Sequence, residues 1–283
     1  MSIRPELRGV SETLIIPLYA RAFESARSGG IIRDPKSEEI ARLLDYDISK
    51  FGWFWAAQTG VAIRTEIIDR GARAFLAEHP RAVVVNLGAG LCTRFFRVDN
   101  GHVRWFELDV PEVKVIWEQC IGESERHRFL TGSVMDFSWM DIVRAEAAEG
   151  CLLIAEGLLI YFEEPEICRL LREIEKRLPA AEMYVEAISP FLARTSGIHP
   201  LLSKTSARFR WGIRSLKELE RWSRRIRLLG EWYLFDYYPE RWGILRWLRF
   251  VPPMRRQMKI GHLQIGSGCP DTRKAEGRQH ESA

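Results

Sequence analysis

No apolar run in the 283 residues approaches the ~20 that a bilayer-spanning helix needs, and Met1-Ser2-Ile3-Arg4-Pro5 leads into neither a signal peptide nor a transit peptide. The expected compartment is the cytoplasm, with no membrane partner. Cysteine is sparse. Cys92, Cys120, Cys151, Cys168 and Cys269 are scattered, odd in number and never spaced Cys-x-x-Cys, which argues against a disulfide framework and against a zinc site. No metal is expected. A formal charge of only +4, from 42 Lys and Arg against 38 Asp and Glu, is too small an excess to imply a nucleic-acid partner. There is no internal repeat, and nothing indicates an oligomeric state. What is left is a globular chain, 46% hydrophobic, able to bury a large core in one domain with a modest appendage.

The chain is organised around Val83-Val84-Val85-Asn86-Leu87-Gly88-Ala89-Gly90, a β-branched run that stops at two glycines one residue apart. Such a run has the character of a strand buried on both faces, and glycines after it allow a tight turn and close approach of the backbone to a ligand. The dinucleotide fingerprint requires Gly or Ala three residues further on, where this chain has Thr93. An NAD-dependent oxidoreductase is thereby disfavoured. A sugar-and-base cofactor without phosphates, of which S-adenosylmethionine is the common one, needs only the approach at Gly88 and Gly90 and a carboxylate for its ribose. Asp109 offers that carboxylate at the end of the next apolar run, Val103 to Asp109.

Residues 1–80 carry no strand signal and are expected to form a helical N-terminal cap. Helices are predicted from Thr13 to Ala26, from Asp34-Pro35 to Leu44 and from Trp55 to Glu78, the last with Ile63, Ile67 and Ala74 on one face and Arg64 beside it. From 81 to 265 strands and helices alternate, the pattern of a doubly wound, mostly parallel α/β sheet. Strands are expected near Arg128–Leu130, Cys151–Gly157 and Ala181–Ile188, with a helix from Glu163-Glu164-Pro165 to Leu178. The stretch about 190–225 loses periodicity and is expected to be a lid insertion. Ser215-Leu216-Lys217-Glu218 has capping-box form, and the aromatic run to Tyr238 pairs in expectation with Met258–Ile265 to close the sheet, its rings core or acceptor lining. Residues 266–283 are polar and expected to be a disordered tail.

Five motifs in order then support a resemblance. Leu14-Ile15-Ile16-Pro17-Leu18-Tyr19-Ala20-Arg21-Ala22, Ile32-Arg33-Asp34-Pro35, Asn86-Leu87-Gly88-Ala89-Gly90, Trp105-Phe106-Glu107-Leu108-Asp109-Val110-Pro111 and Ile154-Ala155-Glu156-Gly157-Leu158-Leu159-Ile160-Tyr161-Phe162 together resemble the leucine carboxyl methyltransferase family. Within it the chain is similar to the bacterial branch of tetracenomycin-type polyketide O-methyltransferases. The resemblance implies a class I (Rossmann-like) fold, S-adenosyl-L-methionine as cofactor, and O-methylation of a carboxylate or hydroxyl on a small polyketide-like or aromatic acceptor. A cofactor-binding relative without catalysis is the competing reading.

Position by position, the resemblance implies that Arg64 grips the methionine carboxylate of the cofactor, a task that suits a guanidinium fork. Gly88 and Gly90 would lie under the cofactor, Asp109 on its ribose, Ser133 and Val134 beside its adenine, and Glu156 near its amino group and sulfonium. Two positions depart from the family pattern. Ser133 stands where Asp is frequent, and Gly90-Leu91-Cys92-Thr93-Arg94 puts a neutral thiol where Gly-Leu-Asp-Thr-Arg has a carboxylate. Catalytic candidates are Tyr161, just beyond Glu156, and His199 in the lid, with Asp236 as a further possible base. A carboxylate acceptor is ionised at neutral pH and needs no base, whereas a phenol, with pKa near ~10, would benefit from one. Carboxyl O-methylation is the expected reaction.

Overall fold

The computed structural model describes residues 3–4, 13–51, 55–196 and 207–266. The central strand β1 (Val83–Leu87) is buried along its whole length, with Val83, Val85 and Leu87 in one core and Val84 in the other. Burial on both faces is what its unbroken apolar run requires. β2 (Arg104–Asp109) and β3 (His127–Thr131) lie parallel to one side of it, β4 (Cys151–Ala155) and β5 (Ala181–Ile188) parallel to the other. β7 (Met258–Ile265) runs antiparallel on β5, and β6 (Ile226–Tyr233) antiparallel on β7, giving the order β3-β2-β1-β4-β5-β7-β6. The expected closing pair is therefore present. The strand order reverses between β1 and β4, which opens a crevice at the carboxyl ends of these strands.

Helices cover both faces. α7 (Glu164–Arg177) starts with a capping box of Glu163 and Glu166 and buries Ile167, Leu170, Leu171 and Ile174 on one face of the sheet, beside α6 (Trp139–Glu146). The longer α3 (Trp55–Glu78) covers the other face through Ile63, Ile67, Ile68, Ala72, Phe75 and Leu76. Ala74, expected on this stripe, is exposed. The stripe follows steps of three and four from Ile68 through Ala72 to Phe75, and Ala74 falls off it. The short α4 (Arg94–Val98) and α6 have too few turns for a periodic signal.

α1 (Ile15–Ala26) and α2 (Pro35–Leu43) form the N-terminal layer. Asp34 caps α2, its side chain accepting from the Ser37 N–H at 3.0 Å. Ile15, Leu18 and Ile40 pack against Ile116 and Trp117 of α5 (Pro111–Cys120) and Phe129 of β3. No described helix is long and apolar enough to cross a membrane.

The expected lid insertion, about 190–225, is described at its two ends, and both are packed. α8 (Pro190–Arg194) follows β5, Trp211 and Ile213 are buried, and the Ile213 N–H donates to the Ile188 carbonyl at 2.8 Å. Residues 215–221 form the capped turn, as a 3₁₀ helix from Leu216 to Arg221. Within the aromatic run the strand gives way past Tyr233 to a 3₁₀ turn, where Leu234 and Phe235 are buried with Trp242 against α3, while Trp232, Tyr233, Tyr237 and Tyr238 are half-buried. The expected tail beyond residue 266 lies outside the described residues.

The last 3₁₀ segment, Pro239–Phe250, is tied to α1 by one ion pair. Arg241 donates twice to the fully buried Glu24, at 2.7 Å each, while the Ile31 N–H donates to the same carboxylate at 2.8 Å. Burial alone would raise the Glu24 carboxyl, but Arg241 and the Ile31 N–H hold it below its usual range. Arg241→Ala strands that carboxylate, so urea unfolding should show a loss of about 3 to 5 kcal/mol, with Glu24→Gln/Arg241→Met recovering most of it. A single-variant loss near zero would show that the pair carries no weight.

Candidate active site

The first half of the site is backbone. Gly88 and Gly90 sit at φ +63° and +53°, where a side chain is strained. A Cβ on Gly88 would lie 2.5 Å from Leu158 Cδ1, and one on Gly90 3.0 Å from Leu14 Cβ. Neither position therefore takes a side chain, because Leu158 and Leu14 pack directly against the loop backbone. Asp109, at the carboxyl end of β2, fixes it: Oδ2 accepts from the Gly90 N–H and Oδ1 from the Val110 N–H, both at 2.8 Å. Burial raises the Asp109 carboxyl although both N–H bonds oppose the shift. After β3, Val134 is buried, and exposed Ser133 uses its hydroxyl to accept from the Met135 N–H at 3.1 Å. All these positions follow the carboxyl ends of adjacent strands, where open α/β sheets bind ligands.

The second half is electrostatic. Glu156, directly after β4, accepts from Arg64 Nε at 2.8 Å and from Arg94 Nη2 at 2.5 Å. Arg64 Nη1 donates to both oxygens of Glu186 at 2.9 Å, and Glu186 also takes the Gly157 N–H at 2.7 Å. Arg94 continues to Asp69 at 2.7 Å, Asp69 to Arg97 at 2.6 Å, Arg97 to Asp34 at 2.6 Å, and Asp34 to Arg21 at 3.4 Å. Burial would push Glu156 up, but Arg94, Arg64 and Arg21 outweigh it and hold the carboxyl far below its ordinary range. The same contest, won by Arg97 and Arg94, lowers Asp69.

This arrangement changes the expectation for Arg64. Two of its three nitrogens are already engaged by Glu156 and Glu186, and Nη2, which lies near Gly157, makes no hydrogen bond to a described residue. Only that edge is left for an incoming carboxylate. Cys92 is buried, and its sulfur accepts from Arg94 Nη1 at 3.5 Å, so the position where the family carries an acid faces the arginine.

Tyr161 closes a 3₁₀ turn from Leu159 and donates to Thr13 Oγ1 at 3.5 Å, with its ring 5.6 Å from that of Phe209. Burial raises its pKa, so the hydroxyl stays protonated at neutral pH. His199 lies outside the described residues. Asp236 is removed as a candidate base: Arg255 holds both its oxygens, at 2.7 and 2.6 Å, on the outside of the 3₁₀ turn Leu234–Asp236. Sequence reasoning passed over Glu186, Asp69 and Arg97, and met Arg94 only as the end of the motif that contains Cys92. One signal was available, because Glu186 interrupts the otherwise apolar Val185–Ile188, and a buried acid in a strand calls for a partner.

The donor set fits an S-adenosyl nucleoside: a glycine loop without side chains after the first strand, an acid at the end of the second, and a guanidinium edge with a neighbouring carboxylate for an amino-acid end. Comparison with known proteins agrees. The model of the leucine carboxyl methyltransferase family matches residues 11–175. The tetracenomycin polyketide synthesis O-methyltransferase of Streptomyces glaucescens is 32% identical over 256 residues, 88% of this chain and 94% of the relative. An S-adenosyl-L-methionine-dependent methyltransferase of Gibberella zeae is 26% identical over 287 residues, 93% of this chain and 94% of the relative. A solved DUF574 family protein of Streptomyces avermitilis has a TM-score of 0.57 at 14% identity, over 89% of this chain and 97% of that one. At that identity the likeness shows the fold alone, the Rossmann-like α/β sheet described above.

Arg64→Lys keeps the charge but loses the fork, and calorimetry should find S-adenosylmethionine bound about 10-fold more weakly by a chain that still folds. Parental affinity would remove Arg64 from the cofactor site. Cys92→Asp gives Arg94 Nη1 a charged acceptor, so thermal unfolding should shift upward by the equivalent of about 1 kcal/mol, with cofactor affinity changed less than about threefold. A lower melting temperature would show that the loop is packed around sulfur.

The lowered carboxyls also set an acid limit. Glu156 and Asp69 have folded values below their ordinary 4.5 and 3.8, so their contribution is complete above those values and is lost as pH falls through the folded ones. Asp109, raised in the fold, works in the opposite direction. Stability should be level from neutral pH to about 5 and decline below it. Urea midpoints that stay level down to pH 3 would contradict this.

Proposed function

This chain belongs to the leucine carboxyl methyltransferase family and is an S-adenosyl-L-methionine-dependent methyltransferase; from that premise we propose that it methylates an oxygen, by preference a carboxylate, on a small polyketide-like or aromatic acceptor. The observation that carries the oxygen's identity is the state of Glu156. It is the carboxylate at the crevice nearest the expected reaction centre, yet it is held between Arg64 and Arg94 with its proton affinity strongly depressed. Such a group is a poor base for a phenol. A carboxylate acceptor requires none. The Streptomyces glaucescens relative, an O-methyltransferase of polyketide synthesis, supports both the oxygen and the acceptor class.

When bound, the cofactor supplies an electrophilic methyl group on a sulfonium. The chain's part is alignment and exclusion of water, since the displacement is in line and needs little covalent help. Asp109 holds the ribose hydroxyls, and the Gly88 and Gly90 backbone admits the nucleoside. Ser133 and Val134 border the base. Arg64 offers Nη2 to the carboxylate of the amino-acid end, and Glu156 sets a negative potential beside its amino group. Tyr161, protonated and near the crevice, orients the acceptor oxygen by turning towards it the O–H that Thr13 Oγ1 accepts in this structure. His199 would be the base if the acceptor were a phenol.

A screen of aromatic acids and phenols with methyl-labelled cofactor tests this. The expected product is a methyl ester, hydrolysed in mild alkali, formed at a rate nearly level from about pH 6 to 9. His199→Ala should reduce that rate much less than the ~100-fold that loss of a general base costs. An alkali-stable ether, or a His199→Ala rate that collapses at unchanged cofactor affinity, would transfer the assignment to a phenol. Cofactor binding without turnover on any acceptor would favour the non-catalytic reading.

A further inference from the structure

Charge is distributed unevenly along this chain. Residues 207–266 hold 14 Lys and Arg against 5 Asp and Glu, although the whole chain is only +4, so the remainder is net acidic. From Arg241 to Gly266 there is no acid at all. Within this basic part the segment Pro239–Phe250 has an inner and an outer side. Trp242 is buried beside Gly60 of α3, and the chain then kinks at Gly243, with φ +51° and ψ −127°. Beyond the kink the apolar side chains point outward: Ile244 is 79% exposed, Phe250 63%, Trp247 55% and Val251 46%. The Trp247 and Phe250 rings are 5.9 Å apart. The Arg246 guanidinium lies 5.1 Å from the centre of the Trp247 ring. Arg246 and Arg256 are exposed, and neither is paired with a carboxylate among the described residues.

This surface lies on the rim of the crevice. α9 (Pro252–Arg255) leads through Gln257 into β7, and Ser189, the residue after β5, donates its N–H to the Gln257 carbonyl at 2.8 Å and its hydroxyl to Gln257 Oε1 at 2.5 Å. The outward side chains thus stand beside the carboxyl end of β5, on the same edge as the site.

We propose that this rim docks on an anionic lipid surface, with Ile244, Trp247, Phe250 and Val251 entering the boundary between headgroups and acyl chains while Arg246 and Arg256 meet lipid phosphates. Protruding aromatic and aliphatic tips flanked by arginine stems are the composition of interfacial anchors, which need no shape-matched groove. Unpaired arginines on the face oppose docking of a second copy, because like charges would meet. The expectation of no membrane partner rested on the lack of a spanning run, which does not bear on a contact at the surface.

The test is co-sedimentation of the full chain with vesicles of equal parts phosphatidylglycerol and phosphatidylcholine, and with pure phosphatidylcholine vesicles. The expected result is binding to the anionic vesicles only, weakened about 10-fold or more in Trp247→Ser/Phe250→Ser and about 5-fold or more in Arg246→Glu/Arg256→Glu. S-adenosylmethionine affinity should be unchanged in both, which shows that they fold and separates this outcome from any failure of the catalytic assignment. No binding by the parent chain, equal binding to neutral vesicles, or parental binding by both variants would overturn the proposal. So would self-association of the parent chain that the same substitutions abolish, since that would make a second copy the occupant.

Discussion

Eight charged side chains of alternating sign form one buried line, Arg21, Asp34, Arg97, Asp69, Arg94, Glu156, Arg64 and Glu186, each in contact with the next. Removing such groups from water costs several kcal/mol per ion, and their mutual attraction offsets that cost only when the geometry is good and every member is satisfied. The line is therefore weak evidence for stability and strong evidence for position. It begins in α1, passes the cap of α2, crosses α3 twice and α4 twice, and ends beyond β4 and inside β5. Arg64 and Glu156 cannot move without stranding a neighbour, so this part of the crevice is preorganised by contacts that reach the N-terminal helices.

Much of the framework could be read from local chemistry. β1, β5, β7 and α3 follow from runs that are apolar on two faces, alternate, or repeat at three and four, and these periodicities are properties of single segments. Gly88, Gly90 and Asp109 were legible for the same reason, since a loop conformation and a strand-end acid are encoded where they occur. The charged line was not. Arg94 meets Glu156, and Arg64 meets Glu186, across long stretches of chain, and in sequence each resembles an ordinary solvated charge. Pairwise burial of that kind is a tertiary fact. The fate of the aromatic run at 232–238 was decided in the same way, because its strand form was visible but which partner it would pack against was not.

Cys92 shows how such a network tolerates a lost charge. Its sulfur faces Arg94, and that arginine already has Asp69 and Glu156 as charged partners. A neutral thiol there leaves no cation unpaired, so the penalty that makes buried charges hard to substitute is avoided. At Asp109 the reverse holds: its carboxyl is raised by burial and has backbone N–H groups as partners instead of a guanidinium. It is the acid in the crevice whose lone pairs are least committed to charged groups, and hydroxyl donors can reach them without displacing an ion pair.

The two ends of the crevice are therefore built differently. The family match stops at residue 175, before β5, and it contains the glycine loop, Asp109, Arg64 and Glu156. The opposite wall comes from residues beyond it. Glu186 of β5 clamps Arg64, and Lys259 of β7, pushed down to about 8 by burial, donates to the Ile213 and Arg214 carbonyls and so fixes the described end of the lid insertion. A buried lysine bound to carbonyls is a rigid post, and the segment it holds runs from the lid back to the sheet edge. Glu186 thus ties the chain beyond the family match to Arg64 and Gly157 within it, so the two parts share one charged contact.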